Sequence, residues 1–285
     1  MQKLGFTLPS KVYEDLPVED SYSYIQSNCG LIVGIADGIT RDPIGLKVLP
    51  DKDEARLKLF SQAYPRPSPA KIAADLFCRT FVDSLLRKDI QGRDGVREAF
   101  ESANYEIRKL NMGREIDYLE NDFAACVASG GVIIERILYF AYIGDCGVAV
   151  IDAKGNLKYR TKDDVKRVSL HLNSLDKDWR EPSWRMKVRM SYRNKPSEPN
   201  SYGALTGEEE AMGYVRTGIL KVEKRDFVLF YSDGMEELIF SGNPLNQTFL
   251  KHLRGYGLSG LEDVCKKIAK KLELKKEGSL VAIVI

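Results

Sequence analysis

Residues 31–38 read LIVGIADG, an apolar run that stops abruptly at an aspartate and a glycine. Its first six residues have little affinity for water. The run is therefore expected to form a strand covered on both faces, with the Asp37 carboxylate carried to its end. Burying an unpaired carboxylate is costly, and the remedies are a hydrogen-bond network, a basic partner or a metal ion. Residues 227–238, FVLFYSDGMEEL, repeat the arrangement: an apolar run, Asp233-Gly234, then a helical pattern.

Upstream of the first run, residues 19–25, EDSYSYI, alternate in the manner of a strand with two acids at its start. Asn28 to Gly30 turn into the 31–38 strand, so Glu19, Asp20 and Asp37 are expected near one end of a hairpin whose register the sequence leaves open. Downstream, residues 41–67 carry four prolines and read as irregular, with one short helix around 54–63. Ser68-Pro69 is a helix start, and Ile72, Ala73, Leu76, Phe77, Phe81 and Leu85 form an apolar stripe at helical spacing. A second amphipathic helix is expected over 94–110. Strands follow within 123–150, broken at Gly130-Gly131 and Gly144-Asp145, and at 157–160. Residues 162–199 are polar and hold both tryptophans, Trp179 and Trp184, and read as a flap. Its arginines 180, 185, 189 and 193 either contact an acidic phosphoprotein or belong to a loop packing its own aromatics. Segments 202–205, 214–222 and 227–232 resume the strand pattern, 244–253 and 259–272 read as helices, and SLVAIVI closes the chain as a core strand.

With 285 residues, 44% hydrophobic and 29% charged, the chain has the composition of a soluble globular protein able to bury a core. Its 43 basic and 41 acidic residues leave a net charge of +2, so no global field recruits nucleic acid or anionic lipid, and no membrane span is expected. Five cysteines, odd in number and without a C-x-x-C pair, argue against disulfides and a zinc site. With no secretory pattern at the N-terminus, the expected location is cytoplasmic. Two histidines, His171 and His252, leave little room for imidazole chemistry.

The acids expected at strand ends are Glu19, Asp20, Asp37, Asp145 and Asp233. A single Asp-Gly after a strand is ordinary turn chemistry. Several together, without histidine or thiol, form the all-oxygen donor set that Mg²⁺ or Mn²⁺ prefers, and two such ions can activate water for in-line attack on phosphorus.

In the same order along the chain, Glu19-Asp20, IADG at 35–38, LYFAYIGDC at 138–146, YSDGMEEL at 231–238 and the final SLVAIVI resemble the motifs of the metal-dependent protein serine/threonine phosphatases, the PPM or type 2C family. The resemblance implies an α+β fold, a four-layer α/β/β/α sandwich with two central antiparallel sheets flanked by helices. It implies a single domain over 1–285 with a variable flap at about 162–199, acting as a monomer on a phosphoprotein through a water held by two Mn²⁺ or Mg²⁺ ions, or by one. Asp37 would bridge the ions and Gly38 lend its carbonyl. Glu19 would lie on one ion and Asp233 on the other, Asp20 would hold metal-bound water, and Asp145 would take an outer position. Asp37, Asp20 and Asp233 are thus the expected catalytic set.

The departures are specific. The family's Asp-Asn-x-Ser/Thr before the last strand is Lys276-Glu277-Gly278-Ser279 here, so either Glu277 reaches the metal or the Lys276 ammonium replaces one cation. The phosphate-binding arginine falls on Asp15, with Arg41 or Lys11 as substitutes. Ile39-Thr40-Arg41 stands where the family carries His or Met and two glycines. Two readings follow: a phosphomonoester hydrolase, or a PPM-like binding or regulatory module with weakened or no catalysis.

Overall fold

In the computed structural model, which describes residues 1–11, 16–28, 30–39, 61–87, 92–118, 121–177, 182–274 and 276–285, two five-stranded sheets stand face to face. One is ordered β1 (Gln2–Leu8), β10 (Gly278–Val284), β9 (Phe227–Tyr231), β6 (Gly147–Ile151), β7 (Leu157–Arg160). The other is ordered β2 (Ser21–Ser27), β3 (Gly30–Ile39), β4 (Ala125–Ile134), β5 (Ile137–Ile143), β8 (Arg216–Lys221). Every neighbouring pair is antiparallel. Helices α1 (Pro69–Arg87) and α2 (Arg93–Asn111) cover the β3 sheet, and α6 (Pro244–Tyr256) and α7 (Leu261–Leu272) cover the β9 sheet, with the short α5 (Glu236–Phe240) after β9. This is the expected four-layer sandwich.

Period-two alternation on β3 explains why its run is apolar on both faces. Ile32 and Ala36 pack under α1 and α2, while Leu31, Val33 and Ile35 meet Val228, Phe230, Val281 and Ile283 between the sheets. Asp37 continues the inter-sheet row, and a slip of one residue would turn it toward the helices. The register fixes it opposite Val127 of β4. Gly38, on the other face, lets α1 approach: a Cβ there would lie 2.8 Å from the Ala70 carbonyl group.

Pairing also gathers the strand ends. The start of β2 lies beside the end of β3, Ser21 opposite Ala36. Tyr231 at the end of β9 lies between Leu280 and Gly147, at the starts of β10 and β6. One rim of the sandwich therefore collects the segments holding residues 19–20, 37–38, 145, 233 and 276–277.

Helix α1 begins at Pro69 as expected, with the Ser68 hydroxyl accepting from Lys71 N–H at 3.0 Å. Its buried face runs through Ala73, Phe77, Phe81 and Leu85, but Ile72 from the expected stripe is 37% exposed, because small Ala70 and Ala74 make the contact instead. Of the helix expected at 54–63, residues 61–63 are helical and the remainder lies outside the described residues.

The flap carries α3 (Lys166–Ser174) and α4 (Pro182–Ser191), closed by Val168, Leu172 and Val188 with Trp184 and Tyr192 packed on them. Arg185, Arg189 and Arg193 are buried, which follows the second of the two expectations, a loop packed on itself, and not the first, contact with an acidic phosphoprotein. Arg193 donates to both Asp122 oxygens, at 2.9 and 2.6 Å, and Arg189 Nε lies 3.1 Å from the same carboxylate. Burial works against the Asp122 charge, but the two guanidiniums hold its carboxyl below the usual range. Trp179 and Arg180 lie outside the described residues. No described helix is long and apolar enough to cross a membrane.

Removing one member of a buried, hydrogen-bonded charge network strands the others. Asp122→Ala is expected to lower stability by about 3–5 kcal/mol, read from the denaturant midpoint. Cutting the exposed Arg108–Glu209 pair with Glu209→Ala is expected to cost under about 1 kcal/mol.

Candidate metal centre

Three carboxylates meet at the rim: oxygens of Asp20, Asp37 and Glu277 all lie within 4.8 Å of one another. Asp20 and Glu277 are buried and Asp37 is half-buried. Each is held by the chain that delivers it. Glu277, just ahead of β10, accepts on one oxygen from the backbone N–H groups of Glu19 at 2.8 Å and Asp20 at 3.0 Å. The Ser232 hydroxyl donates to Asp20 Oδ2 at 2.6 Å, and that hydroxyl accepts from Ser279 N–H at 2.8 Å. The Asp20 carbonyl accepts from Lys71 Nζ at 2.9 Å, tying α1 to the same segment. Oδ1 of Asp20 is buried with no hydrogen-bond partner among the described residues.

Gly234 makes the approach of β10 possible. A Cβ on it would sit 1.8 Å from the Glu277 carbonyl oxygen, so any side chain there would push residues 276–277 off the rim.

The remaining expected ligands are placed differently. The Glu19 carboxylate, fully buried, accepts from the hydroxyls of Tyr64 and Ser68 and lies outside the three-carboxylate convergence. Asp233, in a single helical turn after β9, pairs with the Lys276 ammonium. Asp145 occupies the turn between β5 and β6, half-buried. Both lie outside the convergence, yet each raises the proton affinity of Asp37. Gly38 serves close packing against α1. Lys11 is described and exposed, with its N–H bonded to the Leu274 carbonyl at 2.8 Å; Asp15 and Arg41 lie outside the described residues.

Electrostatically the rim is strained toward neutrality. Burial first, then Asp20 and the neighbouring acids, push Asp37 well above the usual carboxylate range. Burial and then Glu277 raise Asp20 to about 7, against the Ser232 and Ser279 hydrogen bonds. Burial and Asp233 raise Asp145 to about 8, with Lys276 opposing. Burial works against the Lys276 charge, but Asp233 and Asp145 outweigh it and hold the ammonium above its ordinary value. Such a set releases its protons to a cation. The described thiols lie outside the convergence: Cys78, Cys126, Cys146 and Cys265 are free and buried, and burial raises all four.

Sequence reasoning left the choice between Lys276 and Glu277 open, read Ser68 only as a helix start, and gave no role at the site to Tyr64, Ser68, Ser232 or Ser279. Ser232 lies inside the 231–238 motif, one residue before the aspartate, and its inter-sheet orientation follows from the β9 alternation. Tyr64 stands in a proline-rich stretch with no periodic signal.

No curated protein sequence matches the chain. Among solved structures, a bacterial serine phosphatase superposes with a TM-score of 0.67 at 13% identity, covering 100% of this chain and 98% of that one. The catalytic domain of the serine/threonine protein phosphatase PstP in complex with two manganese ions gives 0.60 at 15% identity, over 100% and 98%. RsbX in complex with magnesium gives 0.56 at 11% identity, over 100% and 95%. At these identities the likeness establishes the shared fold. The family described as Protein phosphatase 2C matches residues 9–273, nearly the whole length, and the chain belongs to that family.

Proposed function

We propose that the chain, as one domain over 1–285, is a metal-dependent phosphomonoester hydrolase acting on phosphoserine and phosphothreonine in proteins. The observation that carries this is the meeting of Asp20, Asp37 and Glu277 around a buried, unpartnered Asp20 Oδ1. An all-carboxylate set of this kind suits a hard divalent cation, and the family supports phosphoprotein as the substrate class. Relatives of the fold hold Mn²⁺ in PstP and Mg²⁺ in RsbX, which supports either ion here. When bound, such an ion acidifies water and offsets phosphate charge.

The chain's own residues supply the rest. Asp20, Asp37 and Glu277 would hold the ion, with Glu277 fixed by two backbone donors and Asp20 oriented by Ser232. Asp37 stands at the mouth of the inter-sheet core, where Ile35 and Val33 behind it exclude water. Asp145 and Asp233 add negative potential at the same rim. A cytoplasmic setting is supported by the four described cysteines, all thiols.

A second reading, a binding or regulatory module with weakened catalysis, is favoured by one observation: Lys276 is paired with Asp233 where the family's last metal-binding aspartate stands. Turnover of para-nitrophenyl phosphate and of a phosphothreonine peptide with Mn²⁺ separates the two. Activity abolished by chelator supports the hydrolase, and no turnover at high enzyme with Mn²⁺ bound supports the module.

Asp37→Asn is expected to reduce turnover by about 100-fold or more, and Ser232→Ala to weaken Mn²⁺ binding by roughly 10- to 100-fold, the usual effect of losing a group that orients a ligand. Steady-state rates and calorimetric titration read the two effects.

The pH dependence has a definite sign. Asp20 and Asp145 keep their protons in the folded chain up to about 7 and about 8, whereas unfolded aspartate loses them near 3.8. Without divalent ions, the contribution of these two groups to stability is expected to be fully present below the unfolded value and to be lost progressively as pH rises from there to about 7 to 8. Thermal melts in chelator across that range measure the fall. Titrations at slightly acidic pH in buffers of different ionisation enthalpy are expected to show net proton release as Mn²⁺ binds.

A further inference from the structure

The acids at the rim fall into two groups with different partners. Asp20, Asp37 and Glu277 bring carboxylate oxygens within 4.8 Å of one another, with backbone N–H donors on Glu277 and the Ser232 hydroxyl on Asp20. Asp233 instead carries the Lys276 ammonium. The two groups are divided by consecutive residues, Lys276 and Glu277, whose backbone has little freedom. Glu277 is tied to the N–H groups of Glu19 and Asp20, and its carbonyl lies against Gly234 with no room for a Cβ between them. Consecutive residues thus bring a carboxylate to Asp20 and Asp37 and an ammonium to Asp233.

An ammonium has three donors and no acceptor, so it cannot ligate a metal while charged. A divalent ion on Asp233 would meet that charge at hydrogen-bonding range, with twice the repulsion of a unit cation. The Lys276 side chain is 66% exposed and reaches in from solvent, whereas Asp233 is 12% exposed, so the charge is delivered to a mostly buried carboxylate. In PstP, a relative of the same fold, two manganese ions are bound.

We infer that Lys276 is a tethered cation standing in for a second divalent ion, so that this chain holds one divalent ion, on Asp20, Asp37 and Glu277. The inference rests on the metal-dependent reading above and specifies how many ions that reading involves.

The test is the Mn²⁺ stoichiometry of the full chain, by calorimetric titration and electron paramagnetic resonance, for the wild type, Lys276→Asp, Lys276→Gln and Glu277→Gln. Circular dichroism melts confirm that each variant folds. One uncoupled ion per chain is expected in the wild type. Lys276→Asp is expected to bind two, with the exchange-coupled spectrum of ions roughly 3.5–4 Å apart. Lys276→Gln, which removes the charge without adding a ligand, is expected to take a second ion at least 10-fold more weakly than Lys276→Asp. Glu277→Gln is expected to weaken the first ion at least 10-fold. Two ions in the wild type, or one in folded Lys276→Asp, overturns the inference and leaves the hydrolase reading intact. One ion in the wild type without phosphatase turnover leaves the inference standing and removes the hydrolase. No ion in the wild type overturns both.

Discussion

Carboxylates resist being gathered away from water, and this chain gathers several at one edge of a β-sandwich. Each pays a desolvation cost, and each repels the others through a medium less screening than water. Asp20, Asp37 and Asp145 answer by holding protons far above their ordinary range. Positive charge is the other answer, and the rim already contains one such charge in Lys276. The site is therefore a negative pocket whose occupancy, by protons, an ammonium or a divalent ion, sets its energy.

The sandwich imposes that arrangement through pairing geometry. Antiparallel strands place the end of β3 beside the start of β2, and the end of β9 between the starts of β10 and β6. Inter-sheet residues such as Val33, Ile35, Val228, Phe230 and Val281 fill the space behind the rim, so the carboxylates sit at the boundary between a dry core and solvent. Short contacts lock the details: Gly38 lets α1 press against β3, and Gly234 lets the lead into β10 press against the turn after β9. Solved structures that share 11–15% of their residues with this chain keep the same sandwich.

Much of this was legible in the residues. The LIVGIADG run announces both a two-sided core strand and an acid at its end, and the four-layer order was implied by the family resemblance, with which the alternation of helical and strand periodicities agrees. What was not legible depends on facing and distance. Glu19 and Asp20 are neighbours in a strand start, and only the register sends Asp20 to Asp37 and Glu19 to the hydroxyls of Tyr64 and Ser68. Lys276 and Glu277 pose the same ambiguity, and the structure brings both to the rim, Lys276 to Asp233 and Glu277 to Asp20 and Asp37. The flap arginines left two readings open because their anion, Asp122, lies 71 residues before Arg193, beyond any local pattern. Ile72 fits the helical stripe of α1, yet close packing chose alanines for the buried face.

The central claim is that Asp20, Asp37 and Glu277 together form a divalent-cation site. Anomalous diffraction at the manganese edge, from crystals grown with Mn²⁺, tests it most directly. The account predicts an anomalous peak within coordination distance of all three carboxylates, with the Lys276 ammonium still on Asp233. A chain saturated with Mn²⁺ that shows no peak between those carboxylates, or a peak on Asp233 alone with Lys276 turned away, would contradict it.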